Sequence, residues 1–208
     1  MNISWHGNSL LRITAQKEKN NAVEIVINPF SKETGIKPVK VKADILLVSN
    51  KKSLTATDNV SGDYFLVSSP GEYEVKDVFV QAVKQKEELI FVIEAENITL
   101  CYLGETKEKE LSPEELEQIG NVDILVTPVG GGSTINSKEA AGIISQIEPR
   151  IVIPINYKIP GLKEKKETVE EFLKVIGAGS KEKMSKFSIK KKDISAEGET
   201  EFIVLDCK

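Results

Sequence analysis

The stretch VDILVTPVGGGSTINSKEAAGIISQIEPRIVIPINY, residues 122–157, decides the fold. Residues 122–127 and 151–155 are short, almost wholly apolar runs, a pattern typical of strands buried on both faces. Between them, Asn136 followed by Glu139 predicts a capping box, and the apolar residues that follow fall on one helical face. Strand, glycine loop, helix and strand make a β-α-β unit. The two strands are therefore predicted to be parallel and joined by a right-handed crossover.

A functional site is predicted at the loops that follow these two strands. In open α/β sheets, ligands bind beyond the carboxyl ends of the strands. Those ends are residues 128–133, which contain Gly130, Gly131 and Gly132, and residues 156–157. The backbone N–H groups of such a glycine loop can hold an anion, and a plain tight turn is the alternative.

Composition places the chain among ordinary globular proteins, since 40% of its 208 residues are hydrophobic and 29% are charged. We expect a single domain over residues 1–208. The net charge of −4 gives no global attraction to nucleic acid or to an anionic membrane, so neither is an expected partner. No apolar run could span a bilayer, and Cys101 and Cys207 resemble buried thiols of a reducing compartment, so a cytoplasmic location is expected.

Strands dominate the first half of the chain, and helices enter later between buried strands. Ser112 and Thr168 each begin a predicted helix with a capping box. Residues 49–57 are predicted to be a polar loop, and residues 162–167 a charged, solvated link. The candidate strands are residues 3–13 (a hairpin or bulged strand), 23–27, 44–48, 64–67, 73–75, 78–83, 89–95, 98–103, 187–194 and 200–205. This order favours two packed sheets with helices on the outside.

Four motifs in this order carry a resemblance to a known family. They are ISWHGNSLLRI (3–13), ADILLVSNKKSLTATDNV (43–60), CYLGE (101–105) and the long stretch of residues 121–158. Together they resemble the metallo-β-lactamase superfamily, in particular its branch similar to ascorbate-6-phosphate lactonase. The resemblance implies an α/β (α+β) fold, an αββα four-layer sandwich, with a pocket where strand-end loops converge at one edge of the two sheets.

The chain departs from the superfamily at every position that holds a metal ligand there. Its residues at those positions are Asn50, Lys52, Leu54, Thr55, Glu105 and Asn156, and residues 83–88 lack a further expected histidine. The histidine of the superfamily's opening strand is replaced by Asn8. The one histidine of the chain is His6. A zinc hydrolase site needs at least three protein ligands and an open position. We therefore expect no metal and no other cofactor, the alternative being a weak hard-cation site formed by oxygen ligands from Asn50, Glu105 and Asn156.

Two functions stay open at this stage. The favoured one is a pseudoenzyme, a non-catalytic protein that binds or oligomerises through the retained scaffold. The alternative is a divergent hydrolase that acts on a small anionic or phosphorylated substrate through Lys52, Glu105 or His6. No catalytic residue is assigned, a small anionic molecule is the candidate partner, and a homo-oligomer is left open. The candidate ligand-binding residues of the vestigial pocket are Asn8, Asn50, Lys52, Glu105, Gly131 and Asn156.

The lost metal charge must be replaced if Glu105 is buried. Burying an unpaired carboxylate is costly, so Glu105 needs a nearby cation or a proton. Lys52 is the one basic residue at a ligand position. We therefore expect its ammonium to lie within salt-bridge distance of Glu105.

Overall fold

The computed structural model describes residues 1–16, 21–195 and 198–207. The strands are β1 (Asn2–Trp5), β2 (Leu11–Gln16), β3 (Ala22–Ile27), β4 (Val41–Lys42), β5 (Ile45–Leu47), β6 (Val60–Ser61), β7 (Phe65–Val67), β8 (Gly71–Val75), β9 (Val78–Gln85), β10 (Glu88–Ala95), β11 (Ile98–Tyr102), β12 (Ile124–Pro128), β13 (Ile151–Ile155), β14 (Lys183–Met184), β15 (Phe187–Ser188), β16 (Glu201–Phe202) and β17 (Val204–Leu205). The α-helices are α1 (Lys51–Leu54), α2 (Pro113–Ile119), α3 (Ser137–Ile147) and α4 (Val169–Val175), with 3₁₀ turns at Lys32–Thr34, Thr57–Asn59 and Lys191–Asp193.

Two large sheets form the centre of the structure. One has six strands in the order β15-β1-β2-β3-β5-β7, and the other has seven in the order β16-β13-β12-β11-β10-β9-β8. Strands β3, β5 and β7 run parallel, as do β11, β12, β13 and β16. The carboxyl ends of parallel strands meet at one edge of a sheet, so each sheet has one edge where strand-end loops gather.

The strands are apolar on both faces because both faces are covered. Ile25 and Ile27 of β3 belong to the large core cluster that the two sheets share. Val26, which points to the opposite face, packs in a second cluster with Phe30 and Leu46. The irregular segment of residues 30–43 thus covers the outer face of the six-stranded sheet, while α2 packs against β9 and α3 against β12 on the other sheet. The expected mixed α/β architecture with two sheets is confirmed.

The β-α-β unit is confirmed. Strands β12 and β13 pair in parallel, with Leu125 opposite Val152. Helix α3 begins after Asn136, whose side chain accepts the N–H of Glu139, while the Glu139 carboxylate accepts the N–H of Asn136. The same reciprocal capping box begins α2 and α4. Among the described residues, no helix has both the length and the apolar character needed to cross a membrane.

Three segments differ from the prediction. Within the expected strand of residues 187–194, only β15 (Phe187–Ser188) is a strand, and Lys191–Asp193 is a 3₁₀ turn. The expected loop of residues 49–57 contains the four-residue helix α1, which Asn50 caps by accepting the N–H of Ser53 at 2.9 Å. One helical turn is too short to show an apolar period, so sequence could not reveal it. The expected solvated link of residues 162–167 packs on the glycine loop instead, and Lys166 within it is only 6% exposed. Its contacts come from residues distant in sequence, which a charged run does not indicate.

The close packing of the glycine loop against the end of β13 gives a stability prediction. An added Cβ at Gly130 would lie 2.2 Å from the carbonyl oxygen of Asn156, whereas one at Gly142 on α3 meets nothing nearer than 4.0 Å. We expect Gly130→Ala to lower the free energy of unfolding by about 1–3 kcal/mol or more. Gly142→Ala, the matched control in a helix, should raise it by up to about 1 kcal/mol. Urea denaturation measures both, and equal effects would contradict the packing described.

Candidate functional site

A buried hydrogen-bond network joins the strand ends of the two sheets. Asn28, just after β3, donates from Nδ2 to Ser49 Oγ at 2.7 Å and to the Tyr102 hydroxyl at 3.2 Å. The N–H of Ser49 donates back to Asn28 Oδ1 at 2.8 Å. The Tyr102 hydroxyl donates to the carbonyl of Ser9, in the β1–β2 connection, at 2.6 Å. These contacts fix the ends of β3, β5 and β11 beside the β1–β2 turn.

Glu105 is anchored at the end of this network by two adjacent residues. Ser9 Oγ donates to Glu105 Oε1 at 2.5 Å, and Asn8 Nδ2 donates to the same oxygen at 3.1 Å. Gly104 precedes Glu105 with φ +69°, and an added Cβ there would lie 3.1 Å from Ser49 Oγ. The glycine therefore lets the end of β11 approach Ser49 closely.

Glu88, the first residue of β10, is anchored in the same manner. Ser49 Oγ donates to Glu88 Oε2 at 2.8 Å, and Asn50 Nδ2 donates to that oxygen at 3.0 Å. Burial raises the pKa of Glu88, and the charge of Glu105 raises it further, while the bonds from Asn50 and Ser49 act in the opposite direction. Two carboxylates thus lie within electrostatic reach of each other, each held by a serine and an asparagine adjacent in sequence.

Sequence reasoning missed Glu88. It considered only the positions that align with metal ligands, and it noted residues 83–88 solely for lacking a histidine. The signal was present in the paired acidic residues Glu87 and Glu88 at a hairpin turn. Only the fold shows that one of them turns toward Asn50.

The expected Lys52–Glu105 ion pair is wrong. Lys52 is exposed on α1, and within the described ranges no ion pair joins it to Glu105. The reason is that α1 turns Lys52 to solvent while Asn50 at its start faces Glu88. Lys166 is the buried ammonium of this region: burial lowers its pKa, Glu164 and Glu105 raise it, and Lys52 lowers it.

The glycine loop lies at the base of a cleft of about 780 Å³, which we term the lysine cleft. Its lining residues are Lys107, Lys109, Gly130, Gly131, Gly132, Ser133, Thr134, Asn136, Glu139, Lys165, Lys166, Glu167 and Glu171. Lys166 Nζ donates to the carbonyl of Gly131 at 2.8 Å and lies 3.3 Å from Thr134 Oγ1. Gly131 has φ +68°. The loop is therefore held by the segment that follows β13.

Asn156 and His6 complete the predicted positions. Asn156, after β13, has φ +56° and is only 1% exposed. Among the residues that the structure describes, no hydrogen-bond partner reaches its Oδ1 atom. His6 is buried after β1, with Nε2 3.4 Å from Ser4 Oγ. The structure thus joins Asn8, Asn50 and Glu105 through one network, and places Gly131 in the cleft and Asn156 at a neighbouring strand end; their part in ligand binding stays a prediction.

Comparison with known proteins identifies similar proteins, several of which are named hydrolases. A UPF0173 protein of Pyrococcus furiosus is 36% identical over 87 residues, and a UPF0173 metal-dependent hydrolase of Pyrococcus abyssi is 32% identical over 95 residues. These matches cover 42% and 44% of this chain and 40% of each relative. A solved structure of a candidate Zn-dependent hydrolase of the metallo-β-lactamase superfamily from Thermotoga maritima matches 99% of this chain and 98% of its own, with a TM-score of 0.81 and 29% identity.

These relatives overturn the expectation of a non-catalytic protein. Several of the relatives are named metal-dependent hydrolases, and the structure that matches almost the whole chain is a candidate hydrolase as well. A pseudoenzyme is therefore the wrong interpretation, and the hydrolase alternative fits better. The reason for the error is that the sequence argument equated hydrolase activity with the superfamily's metal-ligand residues.

The side chains present here do not fit a zinc ion. Leu54 and Thr55 are exposed at the end of α1. Asn50 already uses its side-chain oxygen to cap α1 and its nitrogen to bind Glu88. Within residues 1–16, 21–195 and 198–207, no group of three or more His, Cys, Asp or Glu side chains lies close enough to hold a metal ion. The donors at this edge are amides, hydroxyls and two carboxylates, and imidazole and thiolate do not contribute.

The raised pKa of Glu88 gives a prediction about stability and pH. A carboxyl group whose pKa is higher in the folded state stabilises the fold below its ordinary pKa of 4.5, and this contribution is lost as the pH rises through the folded value. Glu88→Gln removes the ionisation. Between about pH 4 and pH 7, the free energy of unfolding of Glu88→Gln should therefore rise relative to that of the native protein. The rise should be about 1.4 kcal/mol for each unit by which folding raises the pKa of Glu88.

Urea denaturation at a series of pH values measures this difference. Glu94→Gln, on the exposed face of the same strand, is the matched control and should show no such trend. A difference between Glu88→Gln and the native protein that stays constant with pH would contradict the burial of this carboxyl group.

The family itself is shown by a match over most of the chain. The sequence profile described as the beta-lactamase superfamily domain matches residues 2–156. That range includes both carboxylates, their serine and asparagine partners, and the glycine loop. The paired sheets and the full-length structural match to the Thermotoga maritima protein agree with it. The chain therefore belongs to the metallo-β-lactamase superfamily.

Proposed function

We propose that this chain is a divergent hydrolase, related to the ascorbate-6-phosphate lactonase branch, that cleaves an ester or lactone bond in a small anionic or phosphorylated substrate. In this proposal the superfamily's metal ligands have been replaced, and the pair Glu88 and Glu105 supplies the acid–base chemistry. The observation that carries the proposal is the geometry of this pair. The names of the UPF0173 relatives support the hydrolase class.

Each carboxylate is fixed through one oxygen and has the other one available. Glu88 receives both of its hydrogen bonds on Oε2, and Glu105 receives both of its bonds on Oε1. Among the described residues, no donor contacts the remaining oxygen of either group. An oriented carboxylate with one unoccupied oxygen is suited to exchange a proton with water or with a leaving group.

The environments of the two carboxylates divide the roles. Glu88 has a raised pKa because it is buried and faces Glu105, so it holds a proton to higher pH and serves as the general acid. Glu105 then takes a proton from the attacking water. The water oxygen adds to the carbonyl carbon, the carbon–oxygen bond breaks, and Glu88 protonates the departing oxygen. Water returns the proton from Glu105 to Glu88, which restores both groups.

The anionic part of the substrate is assigned to the lysine cleft. Lys107 lines the cleft and its charge acts on Glu88, while Lys166 lines the cleft and its pKa responds to Glu105. Lysines of the cleft are therefore close enough to the two carboxylates to interact with them electrostatically. Cations beside the pair also offset the repulsion that two carboxylates exert on an anionic substrate.

Amide substitutions test the proposal. Glu105→Gln and Glu88→Gln keep the shape of each side chain but remove its proton exchange, so each should lower kcat by about 10²–10⁴-fold, the usual contribution of general acid–base catalysis. The measurement is hydrolysis of a panel of small esters and lactones that carry a carboxylate or phosphate group. Glu94→Gln on β10 is the matched control and should retain the native rate.

The pH profile adds a second readout. The rate of the native enzyme should fall at high pH as Glu88 ionises. The Glu88→Gln variant should have most of its rate removed, and its remaining rate should not show this fall at high pH. Native rates in both carboxylate variants would contradict the assignment of the pair.

A further inference from the structure

An internal carboxylate occupies an anion-binding position in the lysine cleft. Glu164 Oε1 accepts the backbone N–H of Ser133 at 2.6 Å, and its Oε2 lies 3.3 Å from Lys166 Nζ. An added Cβ at Gly132 would lie only 2.5 Å from Glu164 Oε1, so glycine is needed for this approach. An anion-binding site is typically formed by a backbone N–H, an ammonium group and a glycine, whose lack of a side chain lets the anion approach the backbone. The Glu164 carboxylate marks where an anion sits.

The cleft has ammonium groups besides the one that Glu164 contacts. Lys107 and Lys165 are exposed on its wall, and neither forms an ion pair with any described residue. The carboxylates on the same wall are engaged at helix starts. Glu139 binds the N–H of Asn136 and pairs with Lys109, Glu167 binds Ser137, and Glu171 binds the N–H of Thr168. Lys107 and Lys165 thus lie at the cleft without an ion-pair partner among the described residues, and Glu167 and Glu171 keep their negative charge on the same wall.

Glu164 can leave this position, whereas Lys166 cannot. The Glu164 side chain is 34% exposed, so rotation about its own torsions moves the carboxylate into solvent without a change in the backbone. Lys166 has no exposed side-chain surface and is held by the carbonyl of Gly131. The donors of the site therefore stay in place when the internal anion departs.

We infer that the lysine cleft binds a phosphate group, which displaces the Glu164 carboxylate from Ser133 N–H and Lys166 Nζ and is also contacted by Lys107 and Lys165. A phosphate dianion matches three ammonium groups and a backbone N–H better than a carboxylate, because it offers more charge and more acceptor oxygens. The role of this site in anchoring a phosphorylated substrate rests on the proposed hydrolase function. The binding of phosphate itself does not.

Titration with inorganic phosphate tests the site without any catalysis. In ¹H–¹⁵N NMR spectra, the amide resonances of Gly132 and Ser133 should shift and saturate. Glu164→Gln should bind phosphate about fivefold more tightly, because the competing charge is gone, and Lys107→Met/Lys165→Met should bind about tenfold or more weakly. Lys158→Met, at an exposed lysine outside the cleft, should bind like the native protein.

The direction in which Glu164→Gln changes the affinity for phosphate is decisive. If Glu164 had only a structural role, its removal would not increase that affinity. Unchanged or weaker binding in that variant, or shifts that avoid Gly132 and Ser133, would overturn the inference. Glu105→Gln separates the two proposals, because it should keep phosphate binding while losing hydrolysis.

Competition distinguishes a phosphorylated substrate from free phosphate. If the phosphate group anchors the substrate, inorganic phosphate should inhibit hydrolysis competitively, and Lys165→Met should raise KM for phosphorylated esters while changing kcat much less. Saturable binding at Gly132 and Ser133 without competition would overturn the substrate role and assign the site to free phosphate.

Discussion

The site depends on how two carboxylates are held near each other where the two sheets meet. Glu105 is bonded by Asn8 and Ser9, and Glu88 by Ser49 and Asn50. A partly buried carboxylate is stable only if its charge is compensated by donors or removed by a proton. Here adjacent hydroxyl and amide groups supply the donors, and the raised pKa of Glu88 favours a proton on that group. The strand-end loops of both sheets thus supply the hydrogen-bond donors to both carboxylates and the burial that favours a proton on Glu88.

In the segment between β13 and α4, charged side chains likewise pair with polar groups that would otherwise lack a partner. Its acidic and basic side chains engage the glycine loop from opposite directions: Lys166 binds the carbonyl of Gly131, Glu164 binds the N–H of Ser133, and Glu167 binds Ser137 at the start of α3. Backbone groups of a tight loop need partners when they are covered, and a charged segment can satisfy both donors and acceptors. The packing of residues 162–167 thus follows from the polar groups that the glycine loop leaves unpaired.

Regular elements were predictable from sequence because their signals are local. The apolar runs of β12 and β13 and the capping box at Asn136 indicate the β-α-β unit without any knowledge of the rest. The resemblance also placed Asn8, Asn50 and Glu105 correctly at strand-end loops. The site itself was predicted less well. Asn50 binds Glu88, which lies 38 residues away in the sequence. The sequence around either residue does not predict that contact.

The charge that accompanies the carboxylates was assigned to the wrong lysine for the same reason. Lys52 was chosen for its alignment with a ligand position, but the single turn of α1 directs it to solvent. Lys166 lies in a run of alternating charges that resembles a solvated link, and only its docking on Gly131 makes it a buried ammonium. Helix direction and long-range docking are tertiary properties that composition and spacing do not encode.

The central claim is that Glu88 and Glu105 perform hydrolysis where related proteins use metal. The most direct measurement is the zinc content of protein purified without chelator, determined by elemental mass spectrometry on the same preparation whose hydrolysis rate is recorded. We expect turnover from protein that contains far less than one zinc per chain after dialysis. Near-stoichiometric zinc that survives dialysis, with a rate that falls in proportion when the zinc is removed, would contradict the claim.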